Sequence, residues 1–166
     1  MSVSVLAVLA LPLSACGGED ESASPAAATT ASQAPKAALT ITDPWVKTVD
    51  EGMTAAFGTI TNPSGADMTI VSAATPASSE VELHEVVGAG AETKMRAKQG
   101  GLVVPAGGEL ELKPGGYHIM LMGVTEPIEP GQKVAFTLTL ADKSTVEFSA
   151  LAKEFNGGNE SYAPGH

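Results

Sequence analysis

From Leu39 onward, the sequence consists of short β-prone runs separated by turns rich in Gly, Pro, Asn and Asp. No stretch of ten or more residues shows helical periodicity, and short runs bounded by such turns are typical of strands. The runs are LTIT (39–42), AAFGTIT (55–61), MTIVSA (68–73), EVELHEV (80–86), LVV (102–104), ELELK (109–113), HIMLM (118–122), KVAFTLTL (133–140) and TVEFSAL (145–151). They predict an all-β domain, folded as a Greek-key β-sandwich or barrel.

The charge of the chain excludes one large class of partner. The 166 residues carry a formal net charge of −10 at pH 7. Binding to nucleic acid needs a basic surface that neutralises phosphates and releases their counterions. We therefore expect no nucleic-acid partner.

The N-terminal region has the pattern of an exported lipoprotein, although residues 1–10 lack the Lys or Arg of a typical secretory signal. Residues 3–13 form an apolar segment that is too short to cross a bilayer and has the length found in secretory signals. It ends in LSACG (13–17), which resembles the bacterial lipobox, where the signal is cleaved before a cysteine that receives lipid. We predict a signal peptide at 1–15 and a lipid on Cys16, the alternative being an ordinary buried cysteine.

The composition changes twice along the rest of the chain. Residues 16–37 are rich in Ala, Ser, Thr, Gly, Pro and acidic residues, so they bury too little surface to offset their ordering entropy. The end of the chain is again polar and Gly-rich, and we expect it to fray. The predicted organisation is a lipidated cysteine with a flexible linker at 16–37, a β-sandwich domain at 38–155 and a flexible tail at 156–166. The linker would hold the domain away from the membrane surface, and the expected location is the extracytoplasmic face of the bacterial cell membrane, the alternative being the periplasm.

Two of the predicted strands carry possible metal ligands on the faces that point away from the core. In HIMLM, side-chain alternation puts His118, Met120 and Met122 on one face, and in EVELHEV it puts His84 opposite Leu83. Residues i and i+2 lie about 6.7 Å apart along a strand, close enough for an imidazole and a thioether to bind one ion. His84 is therefore not expected to be a buried structural histidine.

Packing is the competing explanation for these residues. Methionine is a common filler of irregular cores, so His118 and Met120 taken alone are explained more simply by packing than by ligation. Met122 is equally open, either as a spare ligand or as a sulfur packed under a loop. Ligation is favoured because both histidines of the domain, His84 and His118, fall on such faces.

The spacing of these residues and the sequence segments around them resemble those of the PCu(A)C family of bacterial extracytoplasmic copper chaperones. The ligand pattern of that family is a histidine, a distant methionine and a closing His-x-Met. Ten residues separate His84 from Met95, and His118-Ile119-Met120 closes the pattern. The matching segments are DPWVK (43–47), ITNPSGAD (60–67), VELHE (81–85), KMR (94–96), VPAGG (104–108) and KPGGYHIMLMG (113–123). The resemblance implies a cupredoxin-like fold with His84, Met95, His118 and Met120 as Cu(I) ligands.

The chain departs from the family pattern at one place. The 22 residues between Met95 and His118 are one more than the family spacing. We expect the turn at 98–101 to absorb the additional residue, because a shift nearer Met95 would turn its thioether to the other face.

The chemistry of this ligand set suits a carrier of Cu(I). Soft thioethers select Cu(I) over harder divalent ions. A blue-copper electron-transfer site needs a thiolate, and the only cysteine, Cys16, lies in the lipid-anchor motif. The resemblance implies delivery of copper toward the dinuclear copper centre of cytochrome c oxidase, so that the partners are a copper-receiving oxidase subunit and a thiol-bearing copper assembly protein.

Two other classes of function compete with a Cu(I) carrier. A membrane-tethered β-sandwich that binds or adheres without metal is the alternative, because this architecture serves many unrelated functions. An enzyme is not expected, since no Gly-x-Ser-x-Gly motif occurs and neither histidine of the domain lies in a recognisable nucleophile motif.

Overall fold

The computed structural model describes residues 39–88, 92–157 and 161–162, and none of these residues lies in an α-helix. They form eleven strands: β1 (Thr40–Lys47), β2 (Gly52–Thr61), β3 (Met68–Ala74), β4 (Val81–Val87), β5 (Lys94–Ala97), β6 (Leu102–Val104), β7 (Glu109–Leu112), β8 (His118–Val124), β9 (Lys133–Leu140), β10 (Thr145–Lys153) and β11 (Ser161–Tyr162). The all-β prediction is confirmed. In this part of the chain, no helix is long and apolar enough to cross a membrane.

The strands follow one hydrogen-bonded path that folds back on itself as a sandwich. Its order is β11-β5-β4-β8-β2-β1-β10-β9-β3-β6, and β7 pairs with β2 beside this path. Because β3 contacts β4 and β6 contacts β7, the two ends of the path come together around one apolar core. Residues of that core include Val46, Ile70, Leu83, Leu121 and Leu138.

All nine predicted strands are present, and the structure adds two that were not predicted. The additional strands are β5 and β11, which pair with each other in parallel, and β5 also pairs with β4. The sequence KMRA of β5 has one large apolar residue and no β-branched residue, so it does not by itself favour a strand. Its strand conformation follows from pairing with β4. The tail, which was expected to fray, thus supplies a two-residue strand at Ser161–Tyr162.

Strand β1 continues well beyond its predicted end at residue 42. Asp43 has a positive φ of 49°, and the register with β2 shifts between Thr42 and Trp45, so a bulge carries the strand past Pro44. Gly58 of β2 accommodates this bulge, because a Cβ there would lie 3.1 Å from the Cα of Pro44. The strand resumes with Trp45, which stands directly opposite Phe57.

The loops at 62–67 and 104–108 are joined to each other through Asn62, whose side chain is fully buried. Its Nδ2 donates to the carbonyl oxygens of Ala66 and Val104 at 2.8 and 3.0 Å. Its Oδ1 accepts from the backbone N–H and the hydroxyl of Ser64 at 3.0 and 2.6 Å. The segments at 60–67 and 104–108, which both carry the family resemblance, are therefore held together by this side chain.

Three predictions about chain organisation concern parts outside the described residues. These are the signal peptide at 1–15, the lipid on Cys16 and the linker at 16–37. They stay predictions.

Candidate metal centre

The two histidines of the domain stand side by side on neighbouring strands. Strands β4 and β8 pair antiparallel with His84 directly opposite His118, so both side chains leave the same face of the sheet. The ring centroids are 5.4 Å apart and the ring planes are inclined at 66°. Leu83 and Ile119, opposite each other one position along, point into the core. The predicted face assignment of both histidines therefore agrees with the structure.

Both methionines of the predicted set lie on this same face. Met120 stands opposite Glu82, two residues along β4 from His84, and Met95 stands opposite Val86, two residues along in the other direction. The additional residue between Met95 and His118 does not disturb this register. A turn after β5 contains Gly100 and Gly101 with φ of 78° and 83°, which is where the sequence analysis expects it to be absorbed.

The exposure of the site differs from the prediction. His84 was expected not to be buried, but 0% of its surface is exposed, and His118 is only 4% exposed. Met95 and Met120 are also buried, at 8% and 5%. The prediction was wrong because it equated the face away from the core with solvent, whereas this face is covered by a second group of side chains.

An aromatic row supplies much of that cover. Trp45 and Phe57 have ring centroids 4.5 Å apart, and Phe57 lies 6.2 Å from the His118 ring. Phe155, which follows β10, packs edge-on against Trp45 at 5.3 Å. None of the three aromatic residues belongs to the core between the sheets. The outer face of β1, β2 and β8 thus has an apolar layer of its own, which desolvates the imidazole of His118.

Each histidine ring has a hydrogen-bond partner that orients it. Oε2 of Glu82 lies 2.6 Å from Nε2 of His84, and the carbonyl oxygen of Gly116 lies 3.1 Å from Nδ1 of His118. In neutral rings these contacts place the proton on Nε2 of His84 and on Nδ1 of His118, so the lone pairs are on the other nitrogens. Metal-binding histidines commonly donate their second N–H to a carboxylate or a carbonyl in this way.

A cavity of about 200 Å³ opens beside these side chains. Met95, His118 and Met120 line it, together with Phe57 and Met53. Its wall also includes Lys47 and Gly157, which are joined by a hydrogen bond of 2.8 Å from the ammonium group to the carbonyl oxygen. Three of the four predicted ligands are thus reached from one opening.

Met122 does not follow the side-chain alternation predicted for it. Gly52 pairs with Val124 and Thr54 pairs with Leu121, so two residues, Met122 and Gly123, stand opposite the single residue Met53. This β-bulge changes the alternation after Leu121, and Met122 does not line the cavity. The methionine that does line it at this level is Met53.

Several residues around the site were not found by sequence reasoning. Phe57 packs beside His118, and Trp45 packs on Phe57, only through the pairing of β1, β2 and β8, which one sequence does not reveal. The position of Glu82 two residues before His84 was a usable signal, because strand alternation puts both on one face. Among the described residues, no three His, Cys, Asp or Glu side chains form a group that could hold a metal ion.

The chain is similar to lipoproteins of one sequence family. Residues 39–151 match the family described as "Putative lipoprotein LpqE-like". A protein of Leifsonia xyli subsp. xyli, described as "Putative lipoprotein Lxx21020", is 47% identical over 119 residues, which are 71% of either chain.

The fold is similar to solved structures of PCuAC domains and a related protein. Apo-DR1885 from Deinococcus radiodurans is 30% identical, with a TM-score of 0.57, and the match covers 90% of this chain and 98% of that one. The structure described as CuI-DR1885 is 31% identical, with a TM-score of 0.55 and coverages of 81% and 90%. The copper-bound PCuAC domain from PmoF2 has a TM-score of 0.58 at 16% identity, with coverages of 70% and 93%. The resemblance and the β-sandwich prediction are confirmed: the chain belongs to the LpqE-like lipoprotein family, and its domain has the PCuAC fold.

Proposed function

We propose that the chain is a Cu(I)-binding chaperone, with His84, Met95, His118 and Met120 as the copper ligands. The observation that carries this proposal is the convergence of both imidazoles and both thioethers on one covered face of the sheet. Copper is cargo in this function, so the protein acts as a carrier and not as an enzyme. The copper-bound PCuAC domain from PmoF2 and CuI-DR1885 support the assignment by their likeness to this chain.

The separation of the two histidine rings is suitable for one shared ion. A metal about 2.0 Å from one nitrogen of each ring lies about 3.2 Å from each ring centroid, given the size of an imidazole. Centroids 5.4 Å apart then correspond to a nitrogen–metal–nitrogen angle of about 115°, close to tetrahedral. The ring separation therefore allows both imidazoles to bind one ion.

The donor set and its surroundings favour Cu(I). Two neutral imidazoles and two neutral thioethers are softer than the carboxylate or water ligands of Mg²⁺ and Ca²⁺. The ring of Phe57, itself packed on Trp45, makes the surroundings of His118 apolar, and a neutral ligand set leaves the full charge of the metal to be buried. A monovalent ion is the least costly cation to bury there.

The cellular setting of the proposal comes from the family resemblance and the lipobox. Cys16 carries the lipid that anchors the protein to the extracytoplasmic face of the membrane. The domain passes Cu(I) toward the dinuclear copper centre of cytochrome c oxidase, acting with a copper-receiving oxidase subunit and a thiol-bearing copper assembly protein. These partners are tested by mixing the Cu(I)-loaded protein with an isolated oxidase copper domain and following metal transfer.

The decisive experiment is an anaerobic titration with Cu(I) against a chromophoric chelator. The protein should hold one equivalent of Cu(I), and Met120→Leu should lose most of the affinity because it keeps the volume but not the thioether. Met122→Leu is the matched control, since it makes the same change on the same strand outside the cavity.

The outcomes separate the proposal from the metal-independent alternative. Loss of Cu(I) in Met120→Leu with retention in Met122→Leu supports the proposed site. If the unmodified protein fails to compete for Cu(I), the chaperone function is wrong and a tethered binding module is left. If both variants bind as the unmodified protein does, copper binds elsewhere.

A further inference from the structure

Burial of the four proposed ligands creates a difficulty for copper transfer. His84, Met95, His118 and Met120 are each less than a tenth exposed, so they offer a donor or acceptor protein very little surface to contact. A Cu(I) ion that left all of its ligands at once would have to cross the apolar opening without any, and an uncompensated charge in such surroundings is very unfavourable. Transfer therefore needs a donor atom at the mouth of the cavity.

Met53 has the position and the chemistry for this step. It lines the same cavity as Met95, His118 and Met120, yet 51% of it is exposed, the largest value among the exposed large hydrophobic residues of the described chain. Strand register explains the placement: Ala55 stands opposite Met120, and Met53 lies two residues along β2 on the same face. Met53 thus reaches from solvent into the cavity that contains the ligands.

Because of the β-bulge in β8, Met53 and not Met122 is the methionine at the mouth of the cavity. Because Met122 and Gly123 together stand opposite Met53, the alternation that would have placed Met122 beside Met120 is broken. The next sulfur outward from the buried site along this face is therefore on β2 and not on β8. Bulges often re-aim side chains beside functional sites.

We infer that Met53 is a transfer ligand, which binds Cu(I) transiently at the mouth of the cavity as the ion moves between a partner and the buried site. This inference rests on the proposed function, because it concerns copper bound to that same site. It assigns Met53 to the rate of transfer, whereas the four buried ligands determine the equilibrium affinity.

The step is an exchange of ligands without redox chemistry. On release, a bond forms between copper and Sδ of Met53 as one bond to a buried donor breaks. Ligands of the partner then replace the remaining buried donors one at a time, and the last of them displaces Met53. Copper remains Cu(I) throughout, and no proton moves at Met53 because a thioether binds metal in its neutral form. Capture follows the same steps in reverse.

The test compares rates with affinities in the full-length protein. Stopped-flow mixing under anaerobic conditions measures the transfer of Cu(I) to and from a chromophoric chelator, and equilibrium titration measures the affinity. Met53→Leu keeps the apolar volume and removes the sulfur, and Met122→Leu is the matched control. Met53→Leu should bind one equivalent with nearly unchanged affinity but exchange it at least about tenfold more slowly, which corresponds to a barrier higher by about 1.4 kcal/mol.

The other outcomes contradict the inference for different reasons. Unchanged rates in Met53→Leu would overturn it while leaving the chaperone function intact. An affinity reduced as strongly as in Met120→Leu would make Met53 a permanent ligand and would also overturn it. Equal slowing by Met122→Leu would show a general effect on the strand pair. Failure of the unmodified protein to bind Cu(I) is seen in the titration alone and removes the proposed function itself.

Discussion

Replacement of Asn62 by alanine is expected to destabilise the fold strongly without affecting the metal site. The side chain is fully buried and takes part in four hydrogen bonds, three within the loop at 62–67 and one that joins this loop to Val104. In Asn62→Ala, the carbonyl oxygen of Ala66 keeps the hydroxyl of Ser64 as a donor. The carbonyl oxygen of Val104 and the backbone N–H of Ser64 lose the bonds that Asn62 supplies.

The magnitude follows from these two groups and the lost amide. An unsatisfied buried polar group costs about 1–3 kcal/mol, and a typical hydrogen bond contributes about 1 kcal/mol net. The free energy of unfolding should therefore fall by about 3 kcal/mol in Asn62→Ala. With a urea m-value of about 1.5 kcal/mol per molar, the midpoint falls by about 2 M.

Urea unfolding followed by the fluorescence of Trp45 measures this change. Ser64→Ala is the control: it leaves both amide donors of Asn62 in place, so it should cost less than about 1 kcal/mol. Because no residue of these loops lines the cavity, folded Asn62→Ala should still bind one Cu(I). A loss below about 1 kcal/mol in Asn62→Ala would refute the reasoning, since these hydrogen bonds would then contribute little.

Two further predictions concern the strand β5 and the turn that follows it. Gly101→Ala should lower the melting temperature, because φ is 83° and the new Cβ would lie 2.2 Å from a backbone carbonyl oxygen of β3. Gly100→Ala is the control and should lower it less, because φ is 78° there but no atom lies within 4 Å of the new Cβ. Equal losses in the two variants would contradict the steric argument. The pKa of Glu85 lies below its ordinary value: burial raises it, but hydrogen bonds and charges of Arg96 and Lys98 outweigh this effect. Ionised Glu85 thus stabilises the fold above its unfolded-state pKa, and this contribution is lost as pH falls through the folded-state pKa. Glu85→Gln should be less stable than the unmodified protein at pH 7, and denaturation in acid should show the difference disappearing.

The sequence predicted those features that depend on local alternation. The faces of His84, His118 and Met120 follow from the two-residue period of a strand, and the structure agrees with each of them. Met95 lies on a strand that local pattern did not predict, because KMRA becomes a strand only by pairing with β4. Its ligand role was implied by the family resemblance, whereas its placement beside Val86 required the structure.

Features that depend on contacts between distant segments could not be predicted. The bond from Asn62 to Val104 joins residues 42 positions apart, although each residue lies in a segment that carries the family resemblance. The approach of Phe57 to His118 arises from the pairing of β2 with β8, and His84 meets His118 only through the pairing of β4 with β8. The bulge at Met122 depends on the register between β2 and β8, which side-chain alternation within β8 does not contain.

Because one of the methionines that line the cavity is exposed and two are buried, they should be oxidised in a definite order. Oxidants reach Met53 first, and its sulfoxide is a polar group with a hard oxygen where a soft sulfur had been. Met95 and Met120, which are buried, react later. Oxidative damage would therefore slow the exchange of copper before it reduced the amount of copper held, and a methionine sulfoxide reductase could reach and repair the exposed position without unfolding the domain.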